Sequence, residues 1–175
     1  MINEAIELGK LLFQAGLIDG ASGNLSFRDG EKIIITKSGA SLYSLKSEDF
    51  VDIASKEASR DKAVHAKIYE LCDCNAVIHC HGVFNVVLSL RMPKITPLDL
   101  EGKIYFKELK IVDEQFGTTA YAERIAEEVK RSGAAIARGH GIYSAGKNLR
   151  EAFNKACYVE HSCEVLYYLE IFDKF

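Results

Sequence analysis

Two histidines one residue apart, His79 and His81 in the segment VIHCHG (77–82), have the type and spacing to hold a metal ion. The segment reads as an apolar strand, and side chains along a strand alternate between its faces. Val77, His79 and His81 then share one face. Ala76, Ile78 and Cys80 share the other, which turns Cys80 away from the pair. Imidazoles at i and i+2 lie about 6–7 Å apart at the backbone, so both can reach one ion at about 2.0–2.1 Å. A third imidazole, His140 in ARGHGIYSAG (137–146), follows a second apolar run, and Gly139 and Gly141 permit a tight turn and close backbone approach. Three neutral imidazoles leave a divalent ion its charge and open positions, the catalytic rather than the structural zinc pattern. A rival set, C-x-C-x4-H-x-H from Cys72, Cys74, His79 and His81, does not match the spacings of structural zinc clusters.

Periodicity and punctuation give the elements that must position these groups. Residues 1–17 read as a helix, GLIDGASGN (16–24) as a loop, and LSFR (25–28) and KIIIT (32–36) as strands joined by an RDGE hairpin. SGASLYSLKSEDF (38–50) reads as mostly irregular with Ser47 as a cap, and VDI (51–53) as a short strand. A helix is expected from Asp61 to about Leu71, then the strand NAVIHCH (75–81), then a helix over 82–90 that Pro93 ends. KIYF (103–106) and LKIVD (109–113) read as short strands. Thr119 to Ser132 reads as an amphipathic helix stopped by Gly133. The strands AAIAR (134–138) and IYSAG (142–146) and a helix from about Leu149 to Leu169 complete the chain. Strands and helices interleave, which predicts a central sheet with helices on its faces.

The 175 residues are expected to form a single domain. A net charge of -3 with no dense basic run argues against a nucleic-acid surface. No apolar run approaches the roughly 18 residues of a membrane span. MINEAIELGK has neither the basic start nor the apolar core of a secretory signal. The expected setting is therefore the cytoplasm, and the odd set of five cysteines fits a reducing compartment. The G-x-G of GHGIYSAG lacks the third glycine of a dinucleotide site.

Taken together, GNLSF, IIITKSGASL, ASRDKAVHAKIYE, AVIHCHGVFNVVLSL and ARGHGIYSAGKNLREAF resemble the class II aldolase/adducin family, from about Gly23 to Glu170. The resemblance implies a three-layer α/β/α fold with a central, mostly antiparallel sheet of nine or so strands, and assembly as a homotetramer with sites at subunit interfaces. It implies Zn2+, or another divalent ion, on His79, His81 and His140. It also implies a lyase that cleaves a phosphorylated ketose, fuculose-1-phosphate-like, to dihydroxyacetone phosphate and an aldehyde through a metal-stabilised enediolate. Epimerisation or dehydration on the same metal site stays open, as does a non-catalytic assembly domain of the adducin kind.

The family segment P-S-S-E-x-x-x-H reads here Ala58-Ser59-Arg60-Asp61 to His65. The acidic residue is the family's acid/base, so the resemblance assigns catalysis to Asp61. Aspartate here is the epimerase habit and glutamate the aldolase habit. On the residues alone, Asp61 could instead complement the dipole of its helix, and His65, one turn on, is expected to pack or hydrogen-bond. Ser59 reads as a cap for that helix. By the same resemblance, Asn24, Thr36, Ser38, Gly39 and Ser59 would cradle the phosphate through hydroxyls and backbone N–H groups. Lys37 replaces a usual proline and Arg60 a usual serine. Arg60 could pair with the anion bidentately or fill the pocket. Glu101 reads as a turn residue, and Glu160 and His161 as helix-packing or intersubunit residues. Relatives use a tyrosine from a neighbouring subunit's tail; this chain reads as having a short tail or none, and Tyr105, Tyr167 and Tyr168 are unassigned substitutes.

Overall fold

A computed structural model describes residues 1–172. Its centre is an eight-stranded sheet in the order β3-β2-β1-β4-β8-β7-β6-β5. The strands are β1 (Asn24–Asp29), β2 (Lys32–Thr36), β3 (Phe50–Asp52), β4 (Ala76–Cys80), β5 (Lys94–Ile95), β6 (Leu109–Val112), β7 (Ala134–Ala137) and β8 (Gly141–Gly146). Every neighbouring pair is antiparallel except β6–β7, which is parallel. This is the expected mostly antiparallel α/β architecture.

Alternation along β4 separates two cores. Ala76, Ile78 and Cys80 face a cluster built with α1 (Ile2–Gln14), α3 (Val83–Ser89) and α6 (Leu149–Phe172), including Leu8, Leu12, Leu88, Ala156 and Val159. Val77 faces a second cluster under α2 (Lys62–Leu71) and α5 (Thr119–Ser132), including Val64, Ile68, Ile125 and Val129. Helices therefore cover both faces, giving three layers. The period-2 pattern decides this: a one-residue slip would send every β4 side chain into the wrong core.

Local chemistry fixes the elements near the site. α5 begins where the Thr118 hydroxyl accepts the Tyr121 N–H and ends at Gly133, whose φ of 80° is left-handed. The β7–β8 turn that carries His140 uses Gly139 at φ 63°. Its amide donates to the Ser89 hydroxyl on α3 at 2.9 Å. Gly141 answers a different need. A Cβ built there would lie 2.2 Å from the Cys80 carbonyl oxygen and 2.9 Å from Cδ2 of His81. Gly141→Ala is therefore expected to cost about 1–3 kcal/mol in urea unfolding. An unchanged midpoint would contradict this packing.

Several expectations are corrected. KIYF is not a strand: residues Leu100–Tyr105 form a short helix, α4, because the Asp99 side chain accepts the Gly102 N–H at 2.7 Å and caps it. Glu101 lies in its first turn rather than in a loop. Strand β5 at Lys94–Ile95 is additional, pairing with β6. Ser47 does not cap; it is the first residue of a 3-10 turn whose cap position is Lys46. The first helix stops at Gln14, three residues early, and the last reaches Phe172.

Candidate functional site

Register places the site. Asn24 on β1 pairs with His79 on β4, and His79 pairs with Tyr143 on β8. The three residues form one row across the sheet. α2 brings Asp61 and His65 toward that row, and α5 brings Tyr121. The β7–β8 turn supplies His140, and the residue just past β4 supplies His81.

The three predicted histidines converge. Their ring nitrogens lie within 4.8 Å of one another. His79 Nε2 is 2.7 Å from His81 Nε2 and 3.3 Å from His140 Nε2. His79 Nδ1 lies 2.9 Å from the Ile142 carbonyl oxygen, which can only accept. The proton of His79 therefore sits on Nδ1, and the lone pair of Nε2 faces the other two rings. That orientation is what a first-row divalent cation requires of imidazole. Burial pushes the His79 pKa well below its ordinary value, outweighing the pull of Asp61. It also lowers His81 to about 4 and lowers His140. All three rings are neutral at pH 7, and the donor set fits a metal ion. The cysteine alternative does not form: among the described residues no group joins Cys72 or Cys74 to these histidines.

Asp61 lies beside the cluster, its Oδ2 at 3.7 Å from His79 Nε2. It occupies the cap position of α2 rather than the first turn, and Ser59 lies outside the helix, its hydroxyl accepting the Asp61 N–H at 3.3 Å. Asn24 Nδ2 donates to Asp61 Oδ2 at 2.7 Å and the Tyr143 hydroxyl donates to Oδ1 at 3.0 Å. Burial alone would raise the Asp61 pKa. The His79 and His65 rings and these two hydrogen bonds outweigh it and hold the carboxyl below its ordinary value. Asp61 is thus a buried carboxylate aimed at the cluster. It is a proton acceptor rather than a donor at neutral pH.

A pocket of about 380 Å³ joins this cluster to the residues expected to take an anion. Its wall includes Asn24, Ser38, Gly39, Ser59, Arg60 and Asp61, with His79, His81 and His140. Thr36 is not on that wall: it is buried, and its hydroxyl accepts the Leu25 N–H at 3.3 Å. The amides of Ser38 and Ser59 already donate to the carbonyls of Glu57 and Thr36. Their hydroxyls, with Gly39 and Arg60, therefore remain for an anion. Lys37 reaches the wall but pairs with Glu57 at 3.3 Å.

Three residues at the site carry no signal in the sequence patterns considered above. Tyr121 and Tyr143 stand behind the cluster, the Tyr143 ring stacked on His79 with centroids 4.0 Å apart. Phe116 sits at the mouth, half exposed, its edge against His140. The unassigned tyrosines lie elsewhere: Tyr105 stacks on Tyr158, and Tyr167 and Tyr168 pack on Phe84. Glu160 does not only pack: its carboxylate accepts the Phe84 and Asn85 N–H groups at 2.7 and 3.0 Å, tying α6 to the start of α3 just after His81.

His65 is fully buried, its Nδ1 at 2.7 Å from the Ser26 hydroxyl, and burial lowers its pKa to about 4. The unfolded chain binds this proton as pH falls through about 6.5, whereas the folded chain resists until about 4. Its stabilising contribution is full above pH 6.5 and is lost on acidification. It amounts to about 3 kcal/mol. Urea midpoints of His65→Gln should therefore fall less steeply between pH 6.5 and 4 than those of the unsubstituted protein. Parallel curves would contradict the assignment.

Residues 3–167 match the family described as Class II Aldolase and Adducin N-terminal domain. The chain is a member of the class II aldolase/adducin family. It is 30% identical over 174 residues to an L-fuculose phosphate aldolase of Methanococcus maripaludis strain S2, covering 95% of this chain and 96% of that protein. It is 27% identical to a methylthioribulose-1-phosphate dehydratase of Pseudoalteromonas translucida, covering 86% and 82%. The crystal structure of L-fuculose-1-phosphate aldolase from Thermus thermophilus superposes with a TM-score of 0.94 at 30% identity, covering 99% of this chain and 95% of that one.

Proposed function

We propose that this protein is a zinc-dependent class II aldolase, an aldehyde-lyase, acting on a phosphorylated ketose of the fuculose-1-phosphate kind. The observation that carries the reading is the convergence of three neutral imidazoles beside an ionised Asp61, in one pocket that Ser38, Gly39, Ser59 and Arg60 also line. The relatives named L-fuculose phosphate aldolase support the substrate class.

In this reading the hydroxyls of Ser38 and Ser59, with the Arg60 guanidinium and Gly39, bind the phosphate and hold the sugar in register. Thr36 orders the strand behind them. Asn24 steers Asp61 through its amide. Asp61 Oδ2 takes the proton of the C4 hydroxyl, the C3–C4 bond breaks, and C4 leaves as an aldehyde. The electron pair passes toward the C2 carbonyl, and the proton taken by Asp61 is returned at C3, which completes dihydroxyacetone phosphate and regenerates the carboxylate. A divalent cation on His79, His81 and His140 supplies Lewis-acid stabilisation of the charge collecting at C2, worth several kcal/mol.

The protein is proposed to act in the cytoplasm, and no helix among its described residues is long and apolar enough to cross a membrane. It is proposed to act as a homotetramer. Val83, Leu90, Leu98, Leu100 and Ile104 are all exposed, an apolar burden that burial between subunits would relieve. A dehydratase reading rests on the relative of that name. The test is a panel of ketose 1-phosphates, with dihydroxyacetone phosphate followed by a coupled reductase. Release from a fuculose-1-phosphate-type sugar is expected. Loss of water without cleavage, or inversion at C4, would replace this assignment by the dehydratase or epimerase.

A further inference from the structure

The geometry points to a one-way hydrogen-bond chain, from His140 through the hydroxyls of Tyr121 and Tyr143 to Asp61, that fixes His140 with its proton on Nδ1 and its Nε2 lone pair facing the cluster. Tyr121 and Tyr143 are then positioning residues of the metal centre. This rests on the reading of the three histidines as metal ligands.

The direction follows from proton counting. Tyr143 Oη lies 3.0 Å from Asp61 Oδ1, and a carboxylate can only accept, so Tyr143 donates its single proton there. Tyr121 Oη lies 3.2 Å from Tyr143 Oη. With the Tyr143 proton spent, Tyr121 must donate and Tyr143 accept. His140 Nδ1 lies 2.8 Å from Tyr121 Oη. With the Tyr121 proton spent, only the ring can donate, so its proton lies on Nδ1. Run backwards, the chain needs a protonated Asp61 and ends with a proton on His140 Nε2, which would block ligation. The two hydroxyls thus make the state of Asp61 and the ligating form of His140 one joint condition.

The arrangement serves both ends of the site. Asp61 Oδ1 closes the chain while Oδ2 turns to Asn24 and the cluster. Tyr143 also stacks on His79, opposite which it stands in the sheet. His79 needs no such chain, because the Ile142 carbonyl already fixes its ring. His140 sits on a turn, and its Nδ1 meets a tyrosine hydroxyl in place of a backbone carbonyl. The sequence fixes that ring with two tyrosines drawn from α5 and β8.

The test is nitrogen-15 NMR of the full chain with labelled histidine, metal-free at pH 7.5, together with zinc affinity by chelator competition. The expected results are a proton on Nδ1 of both His79 and His140, and a shift of His140 alone toward the Nε2–H form in Tyr121→Phe. Tyr143→Phe, which removes the acceptor for Tyr121, is expected to shift it partially. Zinc affinity should fall about 10–100-fold in Tyr121→Phe. A His140 proton on Nε2 in the unsubstituted protein overturns the proposal. So does a tautomer unchanged in both variants, and Tyr143→Phe serves alone if Tyr121→Phe fails to fold. Should the unsubstituted protein bind no zinc, the metal reading itself falls. Should it bind zinc with His140 in the wrong tautomer, the chain alone falls.

Discussion

His79→Ala is expected to leave less than a tenth of the bound zinc per chain and to reduce dihydroxyacetone phosphate release at least a thousandfold. The ring is almost wholly buried and its Nε2 is within 3.3 Å of the Nε2 atoms of His81 and His140. Removing it leaves two ligands. A loss of about 4 kcal/mol of Lewis-acid stabilisation corresponds to about a thousandfold in rate. Because His79 also stacks on Tyr143, the alanine variant leaves a cavity, so the less buried His140→Ala is the companion. Both should lose zinc, measured by elemental analysis after gel filtration. Near-normal activity in either would show that the chemistry is centred elsewhere.

Asp61→Asn should bind zinc and fold, yet cleave substrate about 10²–10⁴-fold more slowly, the usual span for a lost general base. The substitution suits the local network. Tyr143 can still donate to an amide oxygen at the Oδ1 position. Asn24 Oδ1 is buried with no partner, so a flipped Asn24 amide can receive the new NH2 group at 61 in place of donating to Oδ2. Charge is then the main thing removed. The effect should fall on kcat rather than KM, because the residues proposed to hold the phosphate are others, Ser38, Gly39, Ser59 and Arg60. A variant with unchanged kcat would remove Asp61 from the proton transfer.

Much of this site could be read from the chain because its parts are local. The strand period puts His79 and His81 on one side of the segment, although β4 itself ends at Cys80 and His81 follows it, and the hairpin, Gly133 and the long helices carry their own punctuation. KIYF misleads because four mixed apolar residues fit a strand as well as a helix turn. The deciding signal lies upstream, in Asp99 three residues before Gly102, as the cap. Tyr143 becomes visible only through pairing, since its role depends on standing opposite His79 across β4 and β8. Tyr121 looks like any apolar-face residue of an amphipathic helix. What distinguishes it is a buried hydroxyl that must find partners, and those come from His140 and Tyr143, distant in sequence. Thr36 reads as an anion ligand from its loop neighbours. Its strand position instead turns the hydroxyl inward to the Leu25 amide.

X-ray absorption at the zinc edge of the zinc-loaded protein reads out the ligand set of the proposed metal centre. One zinc per chain is expected, with three imidazole nitrogens at about 2.0–2.1 Å, the remaining ligands being oxygen, and no sulfur. A shell containing sulfur at about 2.3 Å, or a protein that takes up no zinc at all, would contradict it.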